Sequence, residues 1–475
     1  MAMASREMSF AGHVQQRAVL LASSAKQLLA HGKGQALAWS RRPPMDLPSR
    51  WAEEEKRGIA HRTLSFALVG LLGSPWWVVA ISSLWLYFAG SFFFDVAHYA
   101  LHKFSKSKYL ILRQIGYLHE VHHLYFNRRL KFNNKYLIQN MVIELPLELS
   151  CQLFGTWLGY RVAQYAELTG PGMLSDEIYY LNVLFEIGRV FVVACLEGRD
   201  SNHKSYPAMV PKDPNSFTVG PQYHAMHHVD PSSYISSCFR VFDWLLGTSS
   251  SIRSRRITMT GASGAFGSAL KHELLSESPS CIQELKYGTD WTYTSYSDTI
   301  TALQNTDILI LSHGSKTEPM AANCVSAISL IELFKQHYTP RPGYARLLPE
   351  VWYVGSEAEV HPSPPGDKVM QAYTASKRAF ARHARKYYDD ETVLYRHIVP
   401  AAFRSRMGWA IVGPRWAAKV AMWWIRRGAR YVPVTYTGFA YLGYAKFLWV
   451  VGKADEHARA GHAIIGEISL VRKEG

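Results

Sequence analysis

Eight histidines fall in three tight clusters: His98 and His102; His119, His122 and His123; His224, His227 and His228. The first pair is spaced i, i+4 and each triplet reads H-x-x-H-H. On an α-helix those offsets bring each cluster onto one face within a single turn. Neutral imidazole is a ligand for iron, copper and zinc, and one zinc rarely takes more than four ligands. Eight ligand-spaced histidines therefore predict two metal ions held by helices. A lone histidine is ordinarily a hydrogen-bonded core or surface residue. With 20 histidines in 475 residues, however, even one chance H-x-x-H-H is expected in only about a few per cent of chains, and here there are two.

Long apolar segments flank the clusters, which predicts a site at the edge of a bilayer. Phe66 to Phe94 is nearly uncharged and is interrupted at Gly73-Ser74-Pro75, so it allows one long span or a re-entrant hairpin, with the hairpin favoured by basic residues on both sides. Tyr136 to Tyr160 and Ile178 to Leu196 form a second apolar pair. Their charges, Glu144, Glu148, Glu186 and Arg189, read either as interhelical pairs or as a polar lining. A hydrophobic fraction of 48% beside 52 Lys and Arg fits a chain that is part membrane-embedded and part soluble. The net charge of +15 borders the apolar spans and does not alternate with aromatics, so nucleic acid is not an expected partner. Five scattered cysteines (Cys151, Cys195, Cys238, Cys281, Cys324) without C-x-x-C spacing imply a reducing compartment. The N-terminus carries no apolar h-region of a secretory signal, and Ala18 to Ala30 reads as an amphipathic helix or part of a disordered leader.

The character changes after Leu246. Ser249 to Arg256 is a polar, basic linker. Beyond it strands expected at 256–260, 307–312 and 351–354 alternate with helical runs, the pattern of a parallel α/β sheet. Thr260-Gly261-Ala262-Ser263-Gly264-Ala265-Phe266-Gly267 follows the first strand and opens a helix, where glycines let a pyrophosphate approach the helix N-terminus. Tyr373-Thr-Ala-Ser-Lys377 supplies Y-x-x-x-K: a lysine one turn from a tyrosine lowers the phenol pKa, so that it can exchange a proton with a carbonyl or alcohol. The second strand ends without an acid for an adenosine 2′-hydroxyl, and Lys286 stands nearby, which favours NADP(H) over NAD(H).

Two resemblances rest on these residues. Asp95-Val-Ala-His98-Tyr-Ala-Leu-His102, His119-Glu-Val-His122-His123, His224-Ala-Met-His227-His228 and the run Phe242-Asp243-Trp244-Leu245-Leu246-Gly247-Thr248 resemble the fatty acid hydroxylase/sterol desaturase superfamily over about residues 60–250. The resemblance implies an integral membrane enzyme whose histidines hold two non-haem irons on the cytosolic side. Such an enzyme uses O2 on unactivated C–H bonds and takes electrons from a cytochrome b5-type partner. That superfamily often has a further histidine before the third box. Here Arg199 stands at its place and His203 lies four residues on, so either His203 substitutes or that ligand is missing.

The second half, about residues 254–435, is similar to the short-chain dehydrogenase/reductase family, with a turn spacing closer to its extended branch. By that resemblance Thr260, Gly261, Ser263, Gly264, Gly267 and Lys286 bind the dinucleotide. Asn323 supports a proton relay, Ser356 orients the carbonyl, Tyr373 is the acid/base, and Lys377 binds the nicotinamide ribose. Ser312-His313-Gly314 takes the place of the usual N-A-G turn, and a proline-rich insert (His361 to Gly366) lengthens the spacing from Ser356 to Tyr373.

The expected organisation is a leader (1–60), a membrane α-helical di-iron hydroxylase-like domain (61–248), a linker (249–256), a Rossmann-like α/β domain (257–435) and a membrane-associated extension (436–475). The expected function is a bifunctional lipid-modifying oxidoreductase of the endoplasmic reticulum, with both sites facing the cytosol. Its substrate would be a membrane lipid, sterol or hydrophobic natural product. Two alternatives are an aldehyde decarbonylase of the plant wax type, which shares this layout, and an inactive membrane scaffold or lipid-binding protein.

Overall fold

The computed structural model describes residues 74–170, 172–341 and 347–449. The expected leader, the first leg of the expected hairpin and residues 450–475 lie outside them. From Trp77 onward the chain forms one compact unit with a helical half and an α/β half.

In the helical half, α1 (Trp76–Phe104), α2 (Leu110–Tyr125), α3 (Leu145–Tyr165) and α4 (Asp176–Cys195) pack together. Small residues set the spacing of α1 and α3. A Cβ on Gly155 would come within 2.6 Å of Phe93 Cβ, and one on Gly159 within 2.6 Å of Ala89 Cβ. This G-x-x-x-G stripe lets two backbones approach closely, as in helix pairs within lipid. Trp85 Nε1 donates to Gly159 O at 3.0 Å across the same contact. Ser175 caps α4, accepting from Ile178 N, while Asp176 and Glu177 sit favourably against the helix dipole.

Among the described helices α1 and α4 are long and apolar enough to cross a bilayer. Their outer faces expose large apolar side chains such as Ile81, Leu184 and Phe191. The segment expected from Tyr136 begins differently. A π-helical turn, Asn140–Glu144, precedes α3 and turns Asn140 and Glu144 into the interior. Two short helices follow, α5 (Pro221–Val229) and α6 (Val241–Leu246).

In the α/β half, β1 (Arg256–Thr260), β2 (Cys281–Leu285), β3 (Ile308–Leu311), β4 (Glu350–Val354), β5 (Leu394–Pro400) and β6 (Tyr431–Val434) form one parallel sheet in the order β2-β1-β3-β4-β5-β6. The expected strands sit within a residue of these. Helices α7 (Ala265–Leu275), α8 (Ile300–Gln304), α9 (Ser326–His337), α10 (Lys368–Asp389), α11 (Pro414–Arg426) and α12 (Phe439–Trp449) complete the half.

Side-chain alternation builds two cores. Ile308 and Ile310 face α7 and α11 with Phe266, Leu270, Met422 and Ile425; Leu309 and Leu311 face α9 and α10 with Leu330, Phe334, Phe380 and Tyr387. Both faces of the sheet are covered, which explains the near-continuous apolar strands. The winding order of the strands reverses between β1 and β3, and at the carboxyl ends beside such a reversal open α/β sheets form their ligand crevice. The helical half docks at the opposite, amino-terminal edge. The segment expected as a linker is packed there: Ser251, Ile252 and Arg255 are buried, and Ser249 N donates to Arg426 O at 2.9 Å.

Candidate active sites

The histidines converge into two sets. His98 and His102 from α1, His119 and His123 from α2 and His227 from α5 form the first; His122, His203, His224 and His228 form the second, with ligand atoms within 4.8 Å of one another in each set. The helical offset explains the split. Partners at i, i+4 face the same centre, while the residue between them, at i+3 in α2 (His122) and in α5 (His227), is rotated toward the other. His203 lies in the second set, its Nε2 3.1 Å from Nε2 of both His122 and His224.

The tautomers show that a cation fits. Nδ1 of His98 donates to Ile235 O at 2.9 Å, and Nδ1 of His227 to Ser233 O at 3.0 Å. Their protons are thereby placed on Nδ1 and both Nε2 atoms carry lone pairs. Yet those two Nε2 atoms are 3.0 Å apart, and His102 Nε2 is 3.0 Å from His98 Nε2. Lone pairs facing one another at that distance repel unless a metal ion lies between them. His119 Nε2 is buried without a hydrogen-bond partner, while its Nδ1 bonds Glu144 Oε1 at 2.8 Å. His203 Nδ1 is held by Asp200 Oδ1 at 2.7 Å. Such outer carboxylates and carbonyls orient imidazole ligands and raise their basicity. Burial, reinforced by neighbouring imidazoles, holds His122, His123 and His228 well below the usual imidazole range, and burial brings His227 down to about 3. All four are neutral, the form that ligates.

The two motif aspartates serve one loop. Asp243 accepts from Ile235 N at 2.9 Å, Ser236 N at 2.7 Å, Tyr223 OH at 2.9 Å and the hydroxyl of Thr248. Asp95 accepts from Ser237 N at 2.7 Å. Both thus fix the 235–237 backbone, whose Ile235 carbonyl sets the His98 ring. Gly247, at φ +72°, ends α6 and returns Thr248 to Asp243.

At the sheet's carboxyl edge, Gly261 has φ +66°, and a Cβ there would lie 2.5 Å from His313 N. A Cβ on Gly267 would lie 2.2 Å from Gly261 O. The turn therefore closes only with glycine. Gly264 begins α7 without a side-chain cap, which leaves the first helical N–H groups and the exposed Ser263 facing the crevice. Thr260 is turned away from it: its hydroxyl bonds His313 Nδ1 at 2.6 Å. Lys286 is exposed just past β2, and its backbone N–H binds Asp290 Oδ2 at 2.7 Å.

Tyr373 and Lys377 stand one turn apart on α10. Lys377 Nζ donates to Val354 O at 2.8 Å and Tyr353 OH at 3.1 Å, and burial brings its pKa down to about 8. Burial pushes Tyr373 up to about 12, and a hydrogen bond with the Ser356 hydroxyl pulls against that rise. The expected lowering of the phenol by Lys377 is not what the structure shows, because the ammonium is turned toward Tyr353 and Val354. Asn323 sits in a π-helical turn (Ala321–Val325), a frequent device at functional positions. Its Nδ2 donates to Ser315 O at 2.8 Å and Ser376 Oγ at 3.0 Å. Tyr353 OH donates to Asn323 O at 2.7 Å, linking it to Lys377.

Sequence reasoning missed Tyr353 and Glu359. Glu359 accepts from Ser356 N at 2.9 Å and from His397 Nε2 at 2.8 Å, anchoring the candidate serine. The S-x-x-E capping box, Ser356 to Glu359, was the available signal.

No family model matches the chain. It is 26% identical over 365 residues, 69% of this chain and 86% of the other, to the monoglucosyldiacylglycerol epimerase of Synechocystis sp.. That alignment is longer than either half, so the similarity extends into both. Solved structures similar to the α/β half include a short-chain dehydrogenase from Burkholderia cenocepacia in complex with NADP (16% identity, 44% of this chain, 99% of that chain, TM-score 0.33). Others are the Pseudomonas aeruginosa RhlG/NADP complex (18% identity, 40% and 98%, TM-score 0.32) and a Burkholderia phymatum short-chain dehydrogenase/reductase in complex with NAD (12% identity, 42% and 95%, TM-score 0.33).

Proposed function

We propose that this chain is a membrane-associated, lipid-modifying oxidoreductase with two chemical centres. The observation that carries the reading is the convergence of nine histidines, with Nε2 lone pairs opposed at 3.0 Å. In this reading α1 and α4 cross the endoplasmic reticulum bilayer and both centres face the cytosol. The first set would hold one iron and the second the other. Iron bound there supplies O2 activation and oxidation of an unactivated C–H bond, with electrons from a cytochrome b5-type donor. The residues' own part is to keep the ligands neutral, aimed and dry: Glu144, Asp200, Ile235 O and Ser233 O lock the rings.

In the α/β half the glycine turn would take the pyrophosphate of NADP(H), and Lys286 the 2′-phosphate. A bound nicotinamide supplies a hydride acceptor or donor. Tyr373, protonated at neutral pH because its pKa stands at about 12, gives its proton to a carbonyl oxygen and takes one back from an alcohol. Ser356 shares that oxygen and orients it, with Glu359 fixing the serine backbone. Lys377, still charged at neutral pH and held by Val354 O and Tyr353 OH, would bind the nicotinamide ribose.

The similarity to a glycolipid epimerase supports a second use of the same centre. One hydroxyl-bearing carbon of a hexosyl lipid would lose hydride to the nicotinamide and its O–H proton to Tyr373 after that phenol has released its own proton to solvent. Both would return after the ketone presents its other face, so the cycle is redox-neutral.

Iron per chain in detergent-purified full-length protein, with NADPH turnover on membrane lipid extracts, tests the reading. About two irons per chain and an oxidised lipid product support it. Interconversion of hexosyl-diacylglycerol epimers with catalytic NADP and without O2 supports the second use. Protein that holds neither iron nor dinucleotide refutes both.

A further inference from the structure

Where the helical half meets the amino-terminal edge of the sheet, the chain leaves a cleft of about 630 Å³. On one side Arg255 and Arg396 share a single carboxylate: Arg255 Nη1 is 2.9 Å from Glu350 Oε1 and Arg396 Nε 3.0 Å from Glu350 Oε2. Two buried guanidiniums on one buried acid leave a positive charge uncompensated. Lys212, Arg427 and Arg430 line the same cleft, and among the described residues no carboxylate pairs with any of them. Lys212 Nζ donates to the carbonyls of Tyr388 and Asp390, and Arg430 to that of Tyr388. Arg427 donates to Trp423 O at 3.0 Å and Leu245 O at 3.2 Å. Of the acids about the cleft, Asp389 pairs with Arg385, Asp390 with Lys335 and Asp213 with Arg240, while Glu391 acts on Lys212 and Arg430 from beyond ion-pair distance.

The guanidiniums are also shaped for an oxyanion. Arg430 stacks 3.7 Å over the Tyr388 ring and Arg427 3.8 Å over Trp423, so their edges stay available. The Nε atoms of both are buried and without a hydrogen-bond partner. Burial, reinforced by Arg430, brings Lys212 down to about 8 against the pull of Glu391, Asp390 and Asp389. Gathering like charges in a half-buried cleft is unfavourable unless an anion joins them. The rim is apolar: Phe217, Trp244 and Tyr444 are 58%, 47% and 42% exposed.

We propose that this cleft binds a phosphate-bearing headgroup of net negative charge on Lys212, Arg427 and Arg430, with an attached apolar chain lying across Phe217, Trp244 and Tyr444. The site is separate from both chemical centres. Tyr373 and the glycine turn lie at the other edge of the sheet, and the histidine sets lie behind α5, whose Tyr223 and Met226 face the cleft. The headgroup could belong to a phospholipid or to a soluble phosphate ester, and the experiment separates the two.

Full-length protein in detergent is titrated with dihexanoyl phosphatidylglycerol, dihexanoyl phosphatidylcholine and glycerol 3-phosphate, with binding followed by thermophoresis. Saturable binding of the phosphatidylglycerol, at least about tenfold tighter than of the phosphatidylcholine, is expected, and Lys212→Gln with Arg427→Gln should weaken it at least about tenfold. Competition by glycerol 3-phosphate would show that a soluble ester suffices; its failure to compete would assign the site to lipid. Should the double variant not fold, by circular dichroism and gel filtration, Arg427→Glu alone at its half-exposed position carries the comparison. Equal affinity for the two lipids, or unchanged affinity in the variants, overturns the proposal. The readout uses neither iron nor nicotinamide, so it stands or falls apart from the oxidoreductase reading.

Discussion

Replacing Lys377 by methionine should make the α/β half more stable at neutral pH while removing its chemistry. Burial brings this lysine from 10.5 to about 8, a difference worth about 3 kcal/mol between its protonation states. The unfolded lysine binds its proton below 10.5, the folded one only below about 8. Between those values the unfolded chain carries more protons, so wild-type stability rises with pH across that window, and the full deficit is present below it. Methionine has no charge to bury and escapes the deficit. It also forfeits the bonds to Val354 O and Tyr353 OH. Leaving the Val354 carbonyl unsatisfied costs about 1–3 kcal/mol.

The two effects differ in pH dependence, which makes them separable. At pH 7 the variant should be about 1 kcal/mol more stable, which raises Tm by about 2–4 °C for a half of this size. Above pH 10.5, where the wild-type lysine is neutral in both states, only the lost hydrogen bonds remain and the variant should be the less stable. Differential scanning of both proteins in the same detergent from pH 7 to 11 checks this. A difference in Tm that stays constant across that range would refute the burial argument.

Three further outcomes follow from the geometry. Tyr373→Phe should lower dinucleotide-linked alcohol/carbonyl exchange by about 10²–10⁴-fold with iron content unchanged, measured as NADPH turnover and iron per chain. Gly267→Ala would place a methyl 2.2 Å from Gly261 O; an overpacking cost of about 1–3 kcal/mol weakens dinucleotide binding about ten- to hundredfold by calorimetry. Glu144→Gln removes the carboxylate from His119 Nδ1 and should cut iron affinity about 10–100-fold, read by competition with a chelator.

What the sequence made legible was local. The i, i+4 spacing of His98 with His102, and the apolar runs of β1, β3 and β4, announce their own geometry through side-chain period. Which histidine serves which set was not legible, because it depends on how α1, α2 and α5 cross. His203 sits in a loop without period, and its place beside His122 and His224 comes from a contact across 81 residues. Glu144 points inward only because a π-helical turn shifts its phase from the pattern of the apolar segment. Tyr353 reads as one more apolar strand residue, and only the fold brings its hydroxyl between Lys377 and Asn323. The Ser249–Arg255 segment, with Ser251, Ile252 and Arg255 buried, looked like a linker because its partners, Glu350, Arg396 and Arg426, lie far along the chain.

The sheet decides how the two centres can cooperate. All six strands run in one direction, so the glycine turn, Ser356 and Tyr373 gather at their carboxyl ends. The helical half is fastened at the amino ends through Ser249, Arg255 and Lys212. β5 alone spans seven residues, about 23 Å at the rise of a strand. Under the proposed function, a product of the histidine centre would start on the amino side of the sheet and Tyr373 would meet it on the carboxyl side. For an amphiphilic product the short route between them is a lipid surface, and the exposed aromatic and aliphatic side chains of α12 and α6 are apolar steps along it. The cleft between the halves lies at the start of that route, so an anionic lipid held there would sit beside the outgoing product rather than in either reaction.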